Sequence, residues 1–197
     1  MDAEKIISKY KYKKPLFYKK KTAFAITAVV IALSFLLGGA RGLLSQRNKA
    51  VDFFRSGTEY GSALNDIKIR VDNAHTLIKV AELCLDSNDN DLKNLNKTVA
   101  NLENALKKEK NVDNIYKYNG ELTRLADVIY KKADISALGD LQTVWWENAK
   151  SEMSSRANTI KNDGYNKKAA DYNKKTKAFP AFVIRFCGLA KPLPIFQ

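Results

Sequence analysis

The sequence predicts an all-α protein: a single N-terminal transmembrane helix followed by an antiparallel four-helix bundle with two long outer helices. Three observations predict it. The four prolines stand at positions 15, 180, 192 and 194, so Leu16 to Phe179 is free of the residue that breaks helix interiors at a cost of about 3 kcal/mol. Thr22 to Ala40 holds 19 residues without a charge. The remainder carries four apolar stripes at helical spacing. Four segments follow: a basic tail (1–21), the membrane span (22–40), a helical bundle (41–178) and an apolar, Pro-containing end (179–197).

The first two segments define placement. At 1.5 Å per residue the uncharged run covers roughly 28 Å, about the thickness of a hydrocarbon core. The 15 residues before it contain seven Lys, and the 15 after it contain four Lys or Arg. That bias predicts a cytoplasmic N-terminus and an extracytoplasmic bundle. Lys19, Lys20 and Lys21 are the candidate contacts with anionic lipid on that side. Gly38-Gly39-Ala40 leaves a cleaved signal peptide as the rival to a retained anchor.

The stripes come next. Leu64, Ile67, Val71, Ala74, Ile78, Ala81 and Leu85 form the first; Leu92, Leu95, Val99, Leu102 and Leu106 the second. Ile115, Tyr118, Leu122, Leu125 and Ile129 form the third; Leu138, Leu141, Trp145, Ala149, Met153, Ala157 and Ile160 the fourth. Each is the seam of an amphipathic helix that needs partners, and four close a bundle. The connections are short: Asp86 to Asp91, with Asn90 or Asp91 as cap; Lys110 to Asp113, with Asn111 or Asp113 as cap; Ala133 to Ser136, with Asp134 or Ser136 as cap. The outer helices, Arg41 to Leu85 and Ser136 to Ala178, each have a weak point, at Gly57–Gly61 and Asn162-Asp163-Gly164. These lie at matching heights, roughly 36–40 Å from the distal end, which predicts a four-helix body on a two-helix stalk.

Composition excludes several kinds of chemistry. One His and two distant Cys furnish neither a multi-imidazole metal site nor a disulfide framework, and no phosphate-loop, dinucleotide or hydrolase motif is present. The expectation is therefore no enzyme, no cofactor and no metal. Asp86, Asn88 and Asn90 mimic the start of a calcium loop, but the sixth position is Asp91 and the twelfth Lys97. The net charge is +13; +6 of it sits in the basic tail, and the rest is interspersed with acids. With no recognition motif, anionic lipid headgroups or wall polymers are expected as counterpart rather than nucleic acid. Lys167, Lys168, Lys174, Lys175 and Lys177 cluster near the membrane end and are the second group of candidate lipid contacts. Of the Trp145-Trp146 pair, the stripe places Trp145 inside, leaving Trp146 as the candidate partner contact.

The end of the chain carries a pattern: Tyr165-Asn166, then Tyr172-Asn173 seven residues on, then Phe179-Pro180, then Gly188, Pro192, Pro194 and Phe196. A seven-residue step keeps Tyr165, Tyr172 and Phe179 on one stripe. Asn166 and Asn173 fall at its edge, where their amides can bond across to a neighbouring helix. The order and spacing over about 32 residues, together with the basic tail, membrane helix and helical remainder, resemble the LemA family. The chain departs from it in the first soluble helix, where Arg70, Asp72 and Leu77 stand as a remnant of an Arg-containing element and His75 replaces a proline. The resemblance implies a single-pass envelope protein with an extracytoplasmic helical bundle. The functional expectation is a non-enzymatic interaction or scaffold module with an unknown envelope protein partner, or a second copy of itself. The alternative is an accessory or sensor subunit that binds a ligand and signals through a membrane partner. The apolar end is expected to fold back over the stalk or to contact the membrane interface or a partner.

Overall fold

The computed structural model describes residues 20–58, 61–109 and 111–197; Lys19, one of the expected lipid contacts, lies outside them. The described residues are helical, with no named strand, in seven α-helices: α1 (Lys20–Ser56), α2 (Ala63–Cys84), α3 (Asn90–Leu106), α4 (Val112–Lys132), α5 (Asp140–Asn162), α6 (Gly164–Lys175) and α7 (Ala181–Phe186).

Helix α1 has two halves. Its N-terminal half is the uncharged run, and the apolar window there has none of its residues buried. Its C-terminal half buries Leu43, Ala50, Val51 and Phe54, a stripe stepping by seven, one and three. No break separates the halves, so the one helix among the described residues that is long and apolar enough to cross a membrane continues directly into the folded part. It ends where the sequence placed a weak point. Gly57 has φ +61°, and a Cβ there would lie 1.8 Å from the Gly61 carbonyl oxygen, so the turn admits glycine alone. Ser62 then accepts from the Asn65 amide at 3.2 Å and caps α2.

The first three stripes are inside, each residue buried except Tyr118 and Leu85, which are half-buried. Helix α2 is the hub, packing against α5, α3 and α4; α3 also packs against α4. It therefore buries a second face, with Ala63, Asp66, Arg70, Leu77 and Val80. Helices α4 and α5 meet through long side chains. The Tyr130 ring stands edge-on to Trp146 at 5.3 Å, and its hydroxyl donates to Met153 Sδ at 3.5 Å.

The fourth stripe departs from the expected one at its N-terminal end only. Trp146, Ala149, Met153 and Ile160 are buried, while Leu141 and Trp145 are exposed. Leu138 caps a separate 3-10 turn (Ile135–Ala137) before α5 starts at Asp140, so helical spacing does not carry from it into the first turn of α5; from Ala149 onward Ala149, Met153 and Ile160 keep the expected phase. Two caps also differ or sharpen: Asp89 caps α3, accepting from the amides of Asp91 at 2.8 Å and Leu92 at 3.0 Å, while Asn111 caps α4. The calcium-loop mimic is thus a capping loop; Asp86 accepts from the Asn88 amide, and Lys132 bridges Asp89 and Asp91.

The second weak point also ends a helix. The Asp163 carboxylate accepts from the Tyr165 amide at 2.6 Å, closing α5 and capping α6 in one residue. Helix α6 then packs along α1, and α7 packs on α1 beyond it.

Candidate functional site

Helix α6 and its C-terminal cap present Tyr165, Ala169, Tyr172 and Thr176 as one buried stripe. The neighbour it covers is the chain's own end. Residues 190–197 form no helix and run along α6 in the opposite direction. Asn173 Nδ2 donates to the Leu193 carbonyl at 2.7 Å, and its Oδ1 accepts from the Leu193 amide at 2.8 Å. Two turns earlier, Asn166 repeats the pairing on Phe196, at 2.8 Å each way. The Tyr172 hydroxyl donates to the Lys191 carbonyl at 3.1 Å, and the Tyr165 hydroxyl to that of Pro194 at 3.0 Å.

The geometry matches because two repeats coincide. Seven helical residues rise about 10.5 Å, and three extended residues span about 10 Å. Asparagines seven apart therefore meet tail residues three apart. Each amide side chain satisfies both backbone groups of one residue, which a loop laid over a core would otherwise leave unpaired. Pro192 and Pro194 carry no N–H, so the tail offers donors at the positions the clamp uses. Between the polar contacts, Ala190, Leu193 and Phe196 are buried.

Phe196 reaches furthest. It stacks on Phe54 of α1 at 5.7 Å, stands edge-on to Tyr165 at 5.7 Å, and meets Tyr116 of α4 at 5.4 Å. The same junction holds Arg55, whose Nη2 lies 2.8 Å from Glu109, and Lys68 at 3.6 Å from the same carboxylate. The Arg55 hydrogen bond holds the Glu109 carboxyl below its ordinary range. Burial pushes the Tyr165 and Tyr172 hydroxyls up, so they act as neutral donors.

The expected bonding of Asn166 and Asn173 to a neighbouring helix is replaced by this clamp on the tail. The usable signal was the pairing of two repeats, seven on the helix and three near the end. Phe179 does not continue the buried stripe: it is exposed, as is Pro180, because α6 has ended at Lys175. Trp146 is not a surface contact; it is 2% exposed, and Trp145 is the outward ring. Trp145 borders a groove with Thr76, Lys79, Val80, Leu83 and Gln142, beside exposed Leu141 and Val144.

The basic residues occupy two levels. Lys20 and Lys21 are exposed at the start of α1. Lys167, Lys168, Lys174, Lys175 and Lys177 are exposed on and just after α6, with Lys168 seated 4.7 Å over the Phe53 ring. Cys84 is half-buried and Cys187 exposed, both as free thiols. His75 bonds Glu103 at 2.9 Å on the surface.

Arg70, a remnant in the sequence pattern, is a buried charge of the body, as is Asp66 on the same helix. Its guanidinium donates to Asn119 Oδ1 and, at 2.7 Å, to Thr123, while Nε has no partner among the described residues. Burial pulls it down to about 10, so it remains charged at neutral pH.

These features define an all-helical protein with one apolar N-terminal helix and a clamped C-terminal tail. No protein-family model, curated protein or solved structure matches the chain.

Proposed function

We propose that this chain is a single-pass, LemA-like membrane protein that presents an antiparallel four-helix bundle, α2 to α5, as a non-enzymatic interaction or scaffold module at the cell envelope. The observation that carries the reading is α1, whose bare apolar half and core-forming half are one helix. A span joined without a hinge holds the body at a fixed attitude to the bilayer, which suits a presenting module. The bundle reading is supported by the packing of α2 on α5, α3 and α4, and by Tyr130, Trp146 and Met153 bridging α4 to α5. The interaction reading is supported by the apolar patch of Leu83, Leu141, Val144 and Trp145 at the distal end of α2 and the start of α5. The N-terminus is cytoplasmic, by its lysine excess, and the bundle extracytoplasmic. Lys174, Lys175 and Lys177 then face anionic headgroups near the far end of the span.

The test is protease accessibility on intact spheroplasts with a tag at each terminus. Digestion of the bundle with protection of the N-terminal tag is the expected result. A protected bundle overturns the orientation and moves the search for partners to the cytoplasm.

A further inference from the structure

Residues 177 to 189 are the one part of the C-terminal region that the clamp leaves out. They leave α6, turn through α7 and return at Ala190. Their exposure divides sharply by face. Ile184 is 1% exposed and packs on α1, whereas Phe179, Phe182 and Phe186 are 84%, 52% and 86% exposed and Leu189 57%. Phe182 and Phe186 lie four apart and share the side of α7 away from Ile184, while Phe179 stands in the turn that leads into the helix. Large apolar groups this exposed on a short segment need a partner.

Their position says which. An ideal Cβ on Gly39 would lie 2.7 Å from Ile184 Cδ1, so α7 rests directly on Gly39. Gly39 is the next-to-last residue of the uncharged run Thr22 to Ala40. The aromatic face therefore stands at the height where the hydrocarbon core gives way to headgroups. Lys177 and Arg185 line a groove with Phe182 and Phe186, and Lys174, Lys175 and Lys191 stand close by in sequence. Aromatic rings beside cations at that level are the composition of a membrane interface, where rings enter the acyl boundary and ammonium groups reach the phosphates.

We propose that Phe179, Phe182 and Phe186 form a second membrane contact, an aromatic wedge inserted into the interface of the leaflet from which the body emerges. The proposal rests on the reading of α1 as a membrane span. The clamp on Leu193 and Phe196 returns the tail to the junction and so holds the wedge against α1 at a fixed height. Two contacts on one leaflet restrain the rotation and tilt that a lone span permits.

The test uses the full chain in phosphatidylcholine–phosphatidylglycerol vesicles. In a Cys84→Ser, Cys187→Ser background, single cysteines replace Phe186, Val30 and Val144 in turn and carry an environment-sensitive fluorophore. Doxyl lipids and aqueous iodide are the quenchers. The expected result is a label at 30 quenched by deep doxyl lipid, a label at 186 quenched by shallow doxyl lipid several-fold more than by iodide, and a label at 144 quenched by iodide alone. A label at 30 quenched by lipid with a label at 186 that answers only to iodide overturns the wedge and leaves the span standing. A label at 186 shielded from both quenchers overturns it too, in favour of a protein partner on that face. A label at 30 that lipid does not quench overturns the span and the wedge with it.

Discussion

The body and the stalk solve the same problem, sealing a helix against something, by different means. In the body, apolar stripes face one another, and the seam is made of Leu, Ile, Val and Ala with little conformational freedom to lose. In the stalk, α6 packs on α1 and is sealed on its other side by an irregular strip of backbone, whose polar groups have to be paired one by one by Asn166, Asn173, Tyr165 and Tyr172. A helix partner brings its hydrogen bonds already satisfied; a tail brings them open. The body should therefore fail as a unit when its core is disturbed, whereas the stalk should fail locally, one clamp at a time.

The largest break is Leu122→Asp. Leu122 is fully buried in α4, and an unpaired carboxylate there costs more than about 4 kcal/mol, enough to unfold a marginal domain. Circular dichroism should show loss of the cooperative melt of α2 to α5, and Val71→Asp should behave alike. An unchanged melting curve in both would remove these stripes from the core.

Next comes the tryptophan pair, where adjacent residues should differ by an order of effect. Trp146→Ala removes a ring packed against Tyr130 and should cost about 3–5 kcal/mol. Trp145→Ala, on the surface, should stay within about 0.5 kcal/mol. Chemical denaturation of the two variants decides it; equal losses would mean that α5 is rotated from the phase described.

Asn173→Ala tests the stalk's mode of failure. It removes two hydrogen bonds to Leu193 and should release the tail while the body melts as before. Losing a local contact of about 1.4 kcal/mol speeds exchange of the Leu193 amide about tenfold. Hydrogen exchange read at that amide, beside those of Val99 and Leu125, separates local from global opening. Faster exchange at all three would mean that the clamp and the core are one cooperative unit.

The contrast also explains what the sequence made legible. Leu92 to Leu106 and Ile115 to Ile129 repeat at three and four because a helix facing a helix must repeat that way, so periodicity alone located them. The fourth stripe holds from Ala149 to Ile160 and fails only at Leu141 and Trp145, since Leu138 belongs to a turn that ends before α5, and local apolar character does not mark a helix start. The Tyr-Asn repeat was visible as a pattern, but its partner was not. The tail has no periodicity of its own, and a side chain bonding to backbone reads no residue type in what it holds. Arg70 was invisible as a buried group because its partners, Asn119 and Thr123, lie about fifty residues away and are not acids. The orphaned Nε shows that even the body keeps a polar seam that stripe counting cannot find.

The smallest effect sharpens that point, by asking how a carboxylate inside the body differs from one at its junction with the stalk. Asp66 is 5% exposed between α2 and α5 and meets Arg156 at 3.0 Å. Burial still pushes its carboxyl above 3.8, outweighing the Arg156 hydrogen bond. The folded state therefore holds this proton more tightly than the unfolded chain. The stabilisation is full below 3.8 and is lost as pH rises through the raised folded value. Glu109 runs the other way. Held below 4.5 by Arg55 first, it contributes stability that is present above 4.5 and lost as pH falls. Unfolding free energies measured against pH, wild type minus Asp66→Asn, should thus decline with rising pH, while wild type minus Glu109→Gln should climb. Two slopes of the same sign would mean that Asp66 is no more dehydrated than a surface acid. The Asp66–Arg156 pair would then have to count among the body's favourable contacts rather than as a cost that its apolar stripes offset.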